Sequence, residues 1–116
     1  MVIAMIVTAW NNGGTGYGIK VKVSDRDRLF KKQWKSITLE FENSLAQAQV
    51  NIAKKSFWTQ QCRELIKKEI GEWLQVNGLD WWCKGDPPRL WLEPLDNQRF
   101  LLRRLTPNDR LALSAD

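Results

Sequence analysis

The residues best placed to do chemistry are cations. Lys20, Lys22, Arg26, Arg28, Lys31, Lys32 and Lys35 crowd into residues 17–35, opposed only by Asp25 and Asp27. That segment carries +5, the net charge of the whole chain, and the remaining residues balance. One basic segment in an otherwise neutral domain is the electrostatic footprint of a polyanion site, since clustered Lys and Arg neutralise phosphates. A solvated lysine-rich face has the same composition. Just ahead of it runs Asn11-Asn12-Gly13-Gly14-Thr15-Gly16-Tyr17-Gly18, rich in turn formers. This is not a nucleotide cradle. A phosphate loop needs GxxxxGK(S/T), whereas Gly14 to Gly18 is GxGxG, one residue short of the dinucleotide fingerprint, and it leads into a strand pattern. A glycine-rich hairpin tip does let the backbone approach a partner closely. Asn11, Asn12, Thr15 and Tyr17 then offer hydrogen bonds to base edges or phosphates.

Other chemistries are excluded or unsupported. The chain has no His, which removes Ser-His-Asp and Cys-His catalysis and most zinc and iron sites. Cys62 and Cys83 form no CxxC pair. Two thiols without His complete no structural zinc site and make no disulfide framework, so the expected compartment is a reducing cytoplasm. Asp25 with Asp27, and Glu40 with Glu42, are the paired carboxylates. Two such groups are what acid–base hydrolysis uses, but here they read as solvated or dipole-complementing charges. The expectation is a protein that is not an enzyme, with no catalytic residue, no metal and no cofactor.

Seven Trp in 116 residues is a high content. Trp34, Trp58 and Trp73 suit core positions. Trp81 and Trp82 are adjacent, so both cannot point inward from a regular element. With Pro87, Pro88 and Trp91 they offer an aromatic patch of the kind that binds peptides, stacks bases or forms dimer contacts. Alternatively, the 80–88 loop folds back over the core.

The elements that must position these residues follow from periodicity. Residues 2–10 read as a mostly buried strand, too short to span a bilayer and lacking a signal peptide's basic start; Met5 is an alternative first residue. Ile19, Val21 and Val23 alternate with Lys20 and Lys22, which predicts a second strand with both lysines facing solvent. Ser24 suits an N-cap for a short helix over 25–33. Ile37, Leu39 and Phe41 alternate as a third strand; 42–48 turn, and Val50 and Ile52 mark a fourth. Trp58, Cys62, Leu65, Ile66, Ile70, Trp73 and Leu74 form one stripe at helical spacing, predicting a long helix over 57–77 capped by Ser56 and stopped by Gly78. Cys62 falls on its apolar face, where free Cys is usually core. Residues 89–94 and 99–105 read as two strands around an Asp96-Asn97 turn. The expected architecture is α+β: a curved antiparallel sheet or pseudobarrel of about six strands, with one long helix (57–77) and one short helix (25–33). Residues 1–105 form one domain and 106–116 a tail.

Asn12-Gly13-Gly14-Thr15-Gly16-Tyr17-Gly18-Ile19-Lys20-Val21, followed by Leu29-Phe30, is similar to the start of B3-like DNA-binding pseudobarrels, in particular the effector-binding domains of certain restriction endonucleases. The strand leading to Ser56-Phe57-Trp58 resembles plant B3 domains as well. The resemblance covers residues 17–58. It implies double-stranded DNA held in the major groove by two arms, the first being the 11–22 hairpin with the basic helix after it. The long helix at 57–77 departs from the family, so no residues are carried over for the second arm.

These readings converge on a small cytoplasmic, non-catalytic nucleic-acid-binding domain with duplex DNA as the expected partner and no membrane association. Its site residues are Asn11, Asn12, Tyr17, Lys20, Lys22, Arg26, Arg28, Lys31, Lys32 and Lys35. The alternative is a protein-interaction or homodimerisation module using Trp81, Trp82 and Trp91, with the basic segment serving only solubility.

Overall fold

The computed structural model describes residues 4–59 and 63–109. Seven strands form one sheet: β1 (Met5–Asn11), β2 (Tyr17–Lys20), β3 (Ser36–Phe41), β4 (Gln47–Asn51), β5 (Glu64–Ile66), β6 (Arg89–Asp96) and β7 (Arg99–Arg104). Two helices accompany them, α1 (Val23–Leu29) and α2 (Lys68–Val76), with a 3-10 turn at Lys55–Trp58. The sheet order is β4-β3-β7-β6-β1-β2-β5, and the edges β4 and β5 approach each other, so the sheet is nearly closed. Among the described residues, no helix is long and apolar enough to cross a membrane.

Alternation in the sequence sets which face is inside. In β1, Met5, Val7 and Ala9 are buried while Ile6, Thr8 and Trp10 face the other way. In β3, Ile37, Leu39 and Phe41 point inward, and in β6 Leu90 and Leu92 do so. Each fully buried aliphatic side chain of this kind contributes about 1.5–3 kcal/mol of transfer free energy. An aromatic cluster closes one end of the core. Phe30 stacks on Phe100 with centroids 4.8 Å apart and meets Phe57 edge-on at 5.6 Å.

Several expectations are corrected. The sheet is mixed rather than antiparallel, because β3 lies parallel to β7. It has seven strands where about six were expected. The first helix spans 23–29 instead of 25–33; Lys22, not Ser24, stands at its N-cap, with no side-chain cap. Residues 47–51 form β4, so part of the expected turn is strand.

The largest correction is the 57–77 helix. That stretch holds the end of the 3-10 turn, then β5, and only from Lys68 the helix α2. The reason lies in β2, which needs a partner on its outer side. Residues 64–66 supply it, with Gly18 opposite Ile66, Ile19 opposite Leu65 and Lys20 opposite Glu64. Leu65 is fully buried in this arrangement, so the strand satisfies the same apolar residue the helix would have buried, while Ile66 turns outward. Gly18 makes the approach feasible: a Cβ there would sit in the Leu65 carbonyl oxygen. In α2 the stripe does hold, with Ile70, Gly71, Trp73 and Leu74 buried. Gly78, at φ +68°, ends the helix as expected. Cys62 lies outside the described residues.

Candidate nucleic-acid interface

The basic run does not act as one surface. Lys20, at the end of β2, and Lys22, just beyond it, line a cleft of about 210 Å³ on the outside of the sheet. Ile6 and Thr8 of β1, Val21, Arg63 and Arg89 complete it. Sheet pairing builds this cleft from distant parts of the chain. Thr8 is registered between Lys20 on β2 and Arg89 on β6. Arg63 is brought in by β5 and anchored by its Nε, which donates to the Val21 carbonyl at 2.7 Å. Four of the seven lining residues are therefore cations, and none is a carboxylate. Lys20, Lys22 and Arg89 have no ion-pair partner among the described residues; the nearest acid by register is Glu64, opposite Lys20.

The sequence reading missed Arg63 and Arg89. Arg89 was within reach, since Arg89-Leu90-Trp91-Leu92 alternates and puts Arg89 on the outer face. That β6 lies against β1, and so near Lys20, is a matter of long-range pairing with no local signal. Arg63 was concealed by the helical reading of 57–77.

Three other expected contacts are already committed to the fold. Arg26 is 4% exposed. Its Nη1 donates to the Phe57 carbonyl at 2.9 Å and to the Thr59 carbonyl, its Nε bonds Asp27 at 3.0 Å, and its guanidinium lies 5.4 Å from the Trp58 ring. It ties α1 to the 3-10 turn and presents nothing to a phosphate. The reason is visible in α1: its core-facing side, packed on the turn, includes position 26. Arg28 is exposed but pairs with Asp25 at 3.0 Å. Tyr17 is half-buried, donates its hydroxyl to the Asp80 carbonyl at 3.0 Å and packs against Gly71.

The hairpin tip is also internally occupied. Asn11 Oδ1 accepts from the Gly13 amide at 3.0 Å, and Asn12 Oδ1 accepts from Gly14 and Gly16 at 2.9 and 3.1 Å. Their carbonyl oxygens hold the turn; only their amide groups remain for a ligand. Lys31, Lys32 and Lys35 are exposed in the α1–β3 connection, without an ion pair among the described residues.

The expected aromatic patch is divided. Trp81 is 77% exposed, Trp82 packs against the core, and Trp91 faces outward from β6 with the Arg103 guanidinium 5.6 Å from its ring. Nearby, Asp109 accepts hydrogen bonds from the Thr106 amide and pairs with Arg103. Its carboxyl is held below the usual carboxylate range, first by the Thr106 amide and hydroxyl and more weakly by the Arg103 charge. Among the described residues, no group of three or more His, Cys, Asp or Glu is arranged to hold a metal ion.

Comparison with protein-family models, curated proteins and solved structures returns no match.

Proposed function

We propose that this chain is a non-catalytic nucleic-acid-binding domain that holds its partner by the phosphates. The observation that carries the reading is the cleft around Lys20, Lys22, Arg63 and Arg89, concave, cationic and without a lining carboxylate. Charges gathered in a concave surface focus their field and recruit a polyanion, and phosphate contacts supply most of the sequence-independent affinity. Lys31, Lys32 and Lys35 extend the attraction. The resemblance of residues 17–58 to B3-like pseudobarrels supports the same class of partner, and the curled sheet is compatible with a pseudobarrel.

The test is titration of labelled nucleic acid, duplex and single-stranded, at several salt concentrations. Binding should weaken linearly on a log–log plot, with a slope of roughly −3 if Lys20, Lys22 and Arg89 each meet a phosphate. Replacing Lys20, Lys22 and Arg89 with Ala should reduce that slope by about 2–3 and lower affinity at least tenfold. Arg63 is spared because it also holds Val21. An unchanged slope in the triple variant refutes the assignment.

The protein-interaction alternative keeps one supporting observation, the exposure of Trp81. It is favoured if neither nucleic acid binds and Trp81→Ala alters self-association in sedimentation.

A further inference from the structure

Resting on that reading, we infer that the outer face of β6–β1–β2 is a platform for single-stranded nucleic acid, on which Trp10 and Trp91 stack bases on either side of a cationic row. The pairing registers define the rows. Arg89, Thr8 and Lys20 stand side by side across three strands. One row to one side, Trp91 of β6 lies beside Ile6 of β1. One row to the other side, Trp10 of β1 lies beside Gly18, over which Ile66 of β5 closes. Both indoles are half-buried, as is expected of rings lying against a sheet with part of their surface in water. Arg103, bonded to Glu93 at 3.1 Å, holds its guanidinium 5.6 Å from the Trp91 ring centroid, so a base arriving at Trp91 meets the guanidinium plane as well as the indole.

Two geometric arguments favour a single strand over a duplex. Trp10 and the Ile6–Trp91 row are four residues apart along β1, about 13 Å at the rise of a strand. Stacked bases in a duplex strand recur every 3.4 Å or so and hide their faces from the protein; two rings this far apart stack only on bases that are splayed out. The platform is also broad. From β6 to β2 it spans three adjacent strands, about 10 Å before side chains are added, whereas a major groove of about 12 Å admits one helix or a two-stranded ribbon. Aromatic faces interleaved with backbone-neutralising cations are how sheet surfaces bind single strands without sequence preference. Two carboxylates border this face, Glu64 opposite Lys20 on β5 and Glu93 two residues along β6 from Trp91, and Glu93 is neutralised by Arg103.

The experiment uses a labelled oligothymidine of about 16 nucleotides, the upper end of comparable site sizes, and a duplex of equal length. The single strand should bind more tightly. Trp10→Ala and Trp91→Ala should each weaken it about tenfold with the salt slope unchanged, while duplex binding hardly moves; Trp→Phe at either position should retain most of the affinity. A second measurement needs no variant: photocrosslinking of a strand carrying 5-iodouracil should yield adducts at Trp10 or Trp91. Adducts confined to Trp81 or to the 11–18 hairpin overturn the platform, as does a preference for the duplex with both Trp variants silent. Those outcomes leave the phosphate reading standing. Absence of binding to either probe at low salt overturns both.

Discussion

The arginines of β7 and the cations around β2 differ in what faces them. Arg99 bonds Glu40 of β3 at 2.8 Å and Asp96 at 2.7 Å; Arg103 bonds Glu93 of β6, and Arg104 bonds Glu42, each at 3.1 Å. Every β7 arginine thus spends its charge on a neighbouring carboxylate. Glu40 and Asp96 in turn raise the Arg99 pKa, the Glu40 hydrogen bond foremost. Around β2, Lys20, Lys22 and Arg89 meet no carboxylate at ion-pair distance among the described residues. One region uses cations to pair neighbouring strands; the other leaves them without a carboxylate among the described residues, which is the ground for the proposed interface. Net charge alone does not separate the two, because availability depends on what the pairing of strands brings alongside.

Arg26 is the extreme of the first kind, and its removal should have the largest effect. Arg26→Ala strips the donor from the Phe57 and Thr59 carbonyls and opens space beside Trp58. It should cost about 3 kcal/mol, since orphaning a buried acceptor costs about 1–3 kcal/mol and lost packing adds to it. Denaturant unfolding measures this as a lowered midpoint. Binding by the still-folded fraction should be unchanged. If Arg26→Ala instead unfolds like the parent and binds less well, the division between structural and available cations is wrong. The Lys20, Lys22 and Arg89 triple variant is the mirror image: its unfolding free energy should stay within about 0.5 kcal/mol per site while binding falls.

How much of this the sequence disclosed depends on the range of the interaction. Period-2 alternation located β2 and β3, an apolar run located β1, the Asp96-Asn97 turn located β6 and β7, and Gly78 placed the end of α2. Alternation also put Lys20 and Lys22 outside. What escaped were features set by partners far away in the chain. Three residues, 64–66, are too few for a period to register, and Leu65, Ile70, Trp73 and Leu74 do fall at helical spacing. They pack on one core from two different elements, a strand and a helix, because the outer edge of β2 requires a strand. Arg26 looked like its neighbours Arg28 and Lys31 because one-dimensional spacing does not show the 3-10 turn that covers it. The parallel pairing of β3 with β7 joins segments about sixty residues apart, for which local pattern carries no information.

Smaller effects sharpen the contrast further. Arg99→Ala removes an exposed network, so the loss of stability should be slight, as exposed pairs are screened by water and salt. Its diagnostic value is in the difference between conditions. The parent and Arg99→Ala should converge in thermal stability as salt is raised, and their nucleic-acid binding should be alike at every salt concentration. An Arg99 effect on binding comparable to that of Arg89 would extend the interface across β7, and the pairing with Glu40 and Asp96 would then no longer mark an arginine as structural.

The smallest expected effect comes from Asp109, the carboxylate next to Trp91 and Arg103. Its folded pKa lies below its ordinary value, so the folded state favours the ionised form. The stabilisation is therefore fully present above the usual carboxylate range and is lost as pH falls through the folded pKa. Asp109→Asn, which keeps the shape and one acceptor, should match the parent at strongly acidic pH and fall slightly below it near neutrality. Melting curves across that range, run on both proteins, detect the divergence. Because Asp109 reaches Trp91 and Arg103 rather than the β2 cleft, the same substitution should leave the salt slope of binding untouched. A changed slope would mean that Arg103, freed from its carboxylate, had joined the cations that meet phosphate.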